Sequence, residues 1–363
     1  MSRGILDRYL LREGLASWMG VTIVLLAIML VTRFARFLAE AAAGQLPREF
    51  LLKIVALSSL QYLVILIPVS LLLAILMSLG RLYRDQEITA ITSCGAGPGA
   101  LYRPFLLLAA VIAIFTGVLS FELGPWAGRQ VDALIKDAQR AIQYTPFDPG
   151  RFKYVAGGRA VFYTAALDRE RGDLTTVFAR IEESGAPSVV TARSGEQSVD
   201  RVTGERVVRL DHGFRYTGHP GRADFDIVRF DTLVTRVSPP PVLALSGKRK
   251  IARTSDLVDS DDPRDVAEMQ WRIAAPLTVL LLAVLAVPLA HTTPRAGRYG
   301  KLVLGILAYL GYTNLLTLGQ AWIAKGHAPP GLGLWWVHLL VAVSCLVLIG
   351  RRLGWSLPGR SLR

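Results

Sequence analysis

The stretch Gly80–Ala100, GRLYRDQEITAITSCGAGPGA, decides how the rest of the chain is read. It carries Arg81, Arg84, Asp85 and Glu87, closes on a run of glycines, and is flanked on both sides by highly apolar sequence. So charged a segment does not lie in hydrocarbon, so its neighbours read as two membrane-crossing helices and the stretch itself as their connector. Placed on a helix over about 81–94, Tyr83, Glu87, Ala90 and Cys94 recur at i, i+4, i+7 and i+11, setting one acid on a narrow stripe of small and aromatic side chains. Such a stripe fits a groove on another protein. The same pattern also describes an amphipathic turn solvated at the headgroups, and spacing alone leaves both readings open.

Outward from the connector, the composition agrees with a membrane protein. The 363 residues are 52 % hydrophobic and 19 % charged, with a mean hydropathy of +0.39, a balance too apolar for an ordinary soluble domain of this length. A crossing helix needs about 20 mostly apolar residues. Windows at 15–32, 51–79, 101–123, 273–290, 302–323 and 333–350 qualify, giving six expected spans, three on each side of a polar middle. The first is followed by further spans and has no small-residue cleavage site, so it reads as a span and not as a cleavable signal.

The formal charge of +13 reads as topology and excludes a nucleic-acid partner. Arg3, Arg8 and Arg12, then Arg81, Arg84 and Arg103, then Arg295, Arg298 and Lys301, then Arg351, Arg352, Arg360 and Arg363 all fall on one side of a six-span arrangement. By the positive-inside rule both termini are expected in the cytoplasm and the polar middle outside it. The segment RGILDRYLLREGLASW (3–18) sets Ile5, Leu6, Tyr9 and Leu10 on one side and Arg8 and Arg12 on the other, so it is expected to lie along the inner interface as an anchor before turning into the first span.

From about Ala141 to Lys250 the pattern becomes short β-prone runs, among them AVFYTA, TTVFARI, SVVTA, RVVRL, FRYTG and FDIVRFDTLVTRV. Turn signals such as Ser184-Gly185, Ser194-Gly195 and Thr203-Gly204 separate them, which predicts an all-β sandwich or jelly roll. The expected organisation is a membrane half over 1–140, a β jelly-roll-like domain over 141–250, and a hinge plus second membrane half over 251–363. At the start of that second half Glu268 and Arg272 stand four apart on a helix, a spacing that favours an ion pair at a hinge.

Catalytic signals are absent. Five scattered histidines form no HExxH pair, no nucleophile elbow occurs, and GAGPGA lacks the following Lys-Ser or Lys-Thr of a P-loop. The two cysteines, Cys94 and Cys345, make no disulfide framework and no zinc spacing. The chain is therefore expected to be no enzyme, with no cofactor and no metal, and any work from ATP must come from a partner.

LGRLYRDQEITAITSCG (79–95), with AAAGQLP (41–47) before it and QWRIAAPL (270–277) after the β region, resembles the LptF/LptG permease family of the lipopolysaccharide exporter, the LptF branch more than the LptG branch. The three-span, β-domain, three-span plan agrees over essentially the whole chain. The resemblance implies a permease subunit that extracts lipopolysaccharide from the inner membrane and passes it to a periplasmic bridge. Its implied partners are an LptB-type ATPase dimer, an LptG-type permease and an LptC-type protein. It assigns ATPase coupling to Glu87, flanked by Tyr83 and Arg84.

The resemblance also bears on polar residues within or beside the spans. Arg33 and Arg36, three apart in VTRFARFLAEAAAGQLP, either snorkel to headgroups or grip the phosphorylated head of a lipid by bidentate hydrogen bonds. In the family, basic residues at the outer ends of spans one and five meet the substrate, which adds Lys325. Thr313, Thr317 and Gln320, with Asn314 beside them, form a polar stripe at i, i+4 and i+7 that either joins helices or faces the substrate. A competing class of function is a membrane-anchored envelope sensor or scaffold, whose β-domain binds a ligand and whose connector relays that state to a cytoplasmic partner.

Overall fold

The computed structural model describes residues 3–42, 50–95, 97, 99–143, 149–155, 160–168, 173–182, 187–199, 206–219, 221, 225–237, 247–291, 298–329 and 331–352. Most of AAAGQLP, together with Arg295, Arg360, Arg363 and the expected turns at Ser184-Gly185 and Thr203-Gly204, lies outside the described residues. Two compact units result, one from Met1–Ala43, Arg48–Leu134 and Leu245–Arg363, the other from Gly44–Pro47 and Ile135–Ala244.

In the first unit the apolar runs form α1 (Arg3–Ala42), α2 (Leu51–Arg84), α4 (Gly99–Val118), α7 (Pro263–Leu289), α8 (Arg298–Ala324) and α9 (Trp335–Arg352). The short α3 (Glu87–Ser93) and α6 (Thr254–Val258) accompany them, and after a π-helical turn at Leu119–Leu123 comes α5 (Gly124–Gln143), of which the residues up to Leu134 belong to this unit. Among the described residues five helical segments are long and apolar enough to cross a membrane. The sixth expected span is the shorter apolar helix at Trp335–Arg351.

Two expectations are corrected. The N-terminal segment does not lie apart from the first span, because α1 is one unbroken helix of 40 residues, about 60 Å long against a hydrocarbon core of about 30 Å. Nothing between Arg3 and Ala42 breaks it, since the stretch holds no proline and its glycines are isolated. Nor is 81–94 a single helix, for α2 runs to Arg84 and α3 starts only at Glu87.

The core of this unit joins α2, α4 and α7 through Leu71, Ile75, Leu79, Phe105, Val279 and Leu282, with Tyr312 of α8 and Val337 of α9 packed in. The apolar windows of α2 and α7 are 61 % and 56 % buried, whereas those of α1 and α8 are only 6 % and 22 %. An apolar helix with so little of its surface covered by its own chain meets lipid or a partner over the rest.

The second unit carries one antiparallel sheet in the order β1 (Lys153–Val155), β2 (Ala160–Leu167), β3 (Asp173–Glu182), β4 (Pro187–Val199), β5 (Arg206–Thr217) and β6 (Asp226–Val237). This is a meander, so the jelly-roll-like core is not built by crossover connections between two sheets. It is built by a crease. Thr176 and His212 adopt φ of 51° and 53° inside β3 and β5, and the register sets Arg193 of β4 between them, as Thr175 faces Ser194 and Ala192 faces Gly213. The in–out alternation resets along this line. Leu174 and Val177, three apart, both enter the same apolar cluster as Val190, Ala192, Val208 and Leu210.

The creased strands enclose a cavity of about 160 Å³ whose lining runs from Phe162 of β2 to Leu233 of β6. RVVRL and FRYTG, two strands by pattern, are the two arms of β5, and Ser194-Gly195 is no turn but part of β4 beside the crease. At Gly213 the Phe230 ring takes the space of a side chain: a Cβ there would lie 2.1 Å from the Thr191 carbonyl oxygen and 2.5 Å from Phe230 Cζ.

Candidate functional site

The connector is an elbow. Asp85 closes α2 by donating its backbone N–H to the Arg81 carbonyl at 2.9 Å, and Gln86 then turns left-handed at φ 60°. From there the Ala90 N–H donates back to the Gln86 carbonyl at 3.0 Å and the Thr89 hydroxyl donates to Gln86 Oε1 at 2.9 Å, which starts α3 in a new direction. A left-handed residue other than glycine costs roughly 1–2 kcal/mol, so the bend must be held by something beyond the backbone.

An ionic cluster around Arg81 holds it. The Arg81 guanidinium donates from Nε to Glu13 Oε1 at 3.1 Å, and its Nη1 lies 3.7 Å from Asp85 Oδ2 and 3.6 Å from Glu87 Oε1. Tyr9 donates its hydroxyl to Glu87 Oε2 at 2.6 Å and accepts from Arg81 Nη2 at 3.4 Å. Arg84 donates from Nε to Asp85 Oδ1 at 3.2 Å. Three carboxylates thus meet two guanidinium groups, leaving one net negative charge, and the first turn of α3 is fastened to both α1 and α2.

Tyr83 and Glu87, expected on one stripe with Ala90 and Cys94, are separated by the elbow, and the flanking Arg84 lies apart from both. Tyr83 packs against the core and edge-on to His291 at 5.3 Å, Arg84 is exposed, and Glu87 is half-buried within the Arg81 cluster. The left-handed turn at Gln86 rotates Glu87 out of phase with Tyr83. What α3 presents outward is Thr89, Ala90, Thr92, Ser93 and the capping Cys94, all exposed, while Ile88 anchors it inward. Small side chains on an exposed helix allow a partner surface to approach closely.

Sequence reasoning missed Tyr9 and Glu13, which it had placed on an anchor. The available signal was their i, i+4 spacing on α1 opposite Arg81 and Asp85, themselves i, i+4 at the end of α2.

Near the other end of α1, Arg33 is half-buried with its guanidinium 4.3 Å from the centre of the Tyr62 ring of α2, a cation–π contact that holds it in place. Arg36 lies one turn on and is exposed, and Lys325 is exposed in the turn just after α8. Among the described residues, the hydrogen bonds of Thr313, Thr317 and Asn314 stay within α8. Thr313 donates to the Tyr309 carbonyl at 3.0 Å, Thr317 to the Thr313 carbonyl at 2.8 Å and Asn314 to the Leu310 carbonyl at 2.7 Å, all within the helix. Thr317 is exposed, Gln320 half-buried, and Thr313 lines a crevice of about 50 Å³ with Pro68, Trp271 and Thr278. The ties of α8 are made instead by Tyr309, donating to the Ile65 carbonyl at 3.0 Å, and by Tyr312, 2.5 Å from His338 Nδ1.

At the head of α7 the expected pair forms, with Arg272 Nε 3.4 Å from Glu268 Oε1 and both side chains buried. Arg272 also donates to Thr254 Oγ1 at 2.9 Å and to the carbonyl oxygens of Arg249, Lys250 and Ala252 at 3.3, 3.3 and 3.1 Å. Thr254 in turn donates to the Phe121 carbonyl in the π-helical turn. At the N-cap of α7, Asp262 accepts the Arg264 backbone N–H at 2.8 Å and pairs with Arg249 at 2.8 Å, and these contacts hold its carboxyl below the usual carboxylate range. One buried guanidinium thereby staples the segment 249–254 to α7.

The lipopolysaccharide export system permease protein LptF of Escherichia coli K12 is 31 % identical over 362 residues, covering 99 % of this chain and 97 % of that protein. The protein of the same name from Shigella flexneri matches to the same extent. Residues 8–351 match the family described as lipopolysaccharide export system permease LptF/LptG. With five helices among the described residues long and apolar enough to cross a membrane, an inserted antiparallel sheet and a near full-length match, the chain belongs to the LptF/LptG family of lipopolysaccharide export permeases.

Proposed function

We propose that the chain is the LptF-type permease subunit of an ABC-type exporter in the inner membrane, driven by a separate LptB-type ATPase dimer and paired with an LptG-type permease and an LptC-type protein. Both termini and the α2–α3 elbow face the cytoplasm and the sheet faces the periplasm, as the arginine distribution supports. The observation that carries the reading is the elbow itself. A short helix exposing Thr89, Ala90 and Ser93, and fastened by Glu87 to Tyr9 and Arg81, gives a motor a place to push and gives that push a route into α1 and α2.

At the opposite end of α1, Arg33 and Arg36, with Lys325 after α8, meet the phosphorylated head of lipopolysaccharide. Arg33 is already oriented by Tyr62, and guanidinium groups bind phosphate oxygens in pairs. Thr317 and Gln320 of α8 line the path of the substrate, with Thr313 at the margin of the crevice. The sheet, with its apolar lining, then passes or braces the lipid on its way to the periplasmic bridge.

The test is purification of the tagged full-length chain from its host membrane. Co-elution with an ATPase whose hydrolysis rises with lipopolysaccharide is expected, and Glu87→Ala is expected to lower that association or uncouple it while leaving the chain inserted. A chain that elutes alone, or a Glu87→Ala variant with normal complex and normal export, would overturn the reading.

A further inference from the structure

Between the N-terminal turns of α1 and the side of α4 lies a groove of about 490 Å³ that the proposed transport route does not use. Its lining is graded. Asp7, Arg8 and Arg12 come from the first turns of α1 with Leu11 between the two arginines, and Leu15 and Leu108 lie further towards the apolar length of the two helices. The helices meet tightly at Gly14, where a Cβ would stand 2.9 Å from Phe105 Cε1 and 3.2 Å from Leu108 Cδ2. Asp7 is neutralised by Arg103 of α4, with Oδ2 and Nη1 3.6 Å apart.

Arg8 and Arg12 are different. Both are exposed, and among the described residues neither has an ion pair or side-chain hydrogen bond. They stand four apart, about 6 Å along the helix, so both can reach one anionic group. Counting Arg8, Arg12 and Arg103 against Asp7, the groove and its rim carry a net charge of +2.

We infer that this groove is a binding site for an anionic phospholipid of the leaflet that holds the N-terminus. The two arginines take the phosphate, and an acyl chain runs along Leu11, Leu15 and Leu108. Charge complementarity sets the headgroup, and the polar-to-apolar order of the lining matches that of a lipid entering hydrocarbon. A soluble phosphate compound would use the arginines and leave the leucines idle. The groove's volume falls within the usual range of about 300–1,000 Å³ for small-molecule sites.

The test uses the full-length chain in nanodiscs of equal phosphatidylglycerol and phosphatidylcholine, with retained lipid measured by mass spectrometry after extraction into detergent. The wild type is expected to retain phosphatidylglycerol selectively. Arg8→Gln with Arg12→Gln is expected to lower that retention by about tenfold or more, the weight of two basic residues at a membrane surface. A Leu15→Trp reporter in the otherwise native chain supplies an arm that survives any folding defect of the double variant, since brominated phosphatidylglycerol should quench it more than brominated phosphatidylcholine. Equal retention in the double variant, equal quenching by the two lipids, or displacement of the lipid by excess inorganic phosphate would each overturn the assignment.

Discussion

Arg272 is the residue on which the head of α7 depends. It is 2 % exposed, and its guanidinium serves Glu268, Thr254 and three backbone carbonyls at once. Its removal leaves a buried carboxylate and those carbonyls without their donor, a change that costs about 3–5 kcal/mol when a buried pair is broken. Arg272→Ala is therefore expected to lower the thermal unfolding temperature in detergent and to open 249–262 to protease, with Arg272→Lys in between. If Arg272→Ala unfolds at the wild-type temperature, the staple carries no weight. The i, i+4 spacing of Glu268 and Arg272 was readable in the sequence. The carbonyls were not, because backbone acceptors carry no residue identity and become visible only when the chain has folded back on itself. Tyr9 and Glu87 illustrate the same limit, being partners 78 positions apart.

Among the elements, the elbow and the crease share a cause. Both are made by residues other than glycine held left-handed, Gln86 in one and Thr176 and His212 in the other, and no composition rule marks such residues in advance. The bend at Gln86 falls where neither glycine nor proline interrupts the sequence, so periodicity ran straight through it. In the sheet, Ser194-Gly195 carries a turn signal yet lies within β4, because turn-favouring residues also suit a bent strand. The elbow can be tested directly. Gln86→Gly relieves the backbone strain and is expected to preserve ATPase association, whereas the β-branched Gln86→Val cannot adopt the turn and is expected to weaken it by roughly tenfold or more. Association measured by co-purification decides between them, and equal behaviour of the two variants would mean that the bend is not needed for docking.

At the scale of the whole molecule, the membrane class, the inserted β region and five of the crossing helices were legible from apolar run length and strand-like alternation alone, because both patterns report burial against lipid or core. How little of α1 its own chain covers was not legible, since α1, at a hydropathy of 2.3, is as apolar as the better-buried α7 at 2.2. If the uncovered end of α1 meets substrate, Arg33→Glu with Arg36→Glu should depress lipopolysaccharide photocrosslinking there by reversing the local charge. Unchanged crosslinking would return both residues to a headgroup-snorkelling role. The unbroken length of α1 ties that end to the elbow. Tyr9 and Arg33 are 24 residues apart on one rigid rod, about 36 Å by helical rise, so swinging its foot through about 10° would displace its tip by about 6 Å. In the proposed exporter, a small stroke at the elbow would become, by leverage and without any rearrangement inside the helix, a larger displacement at the far surface.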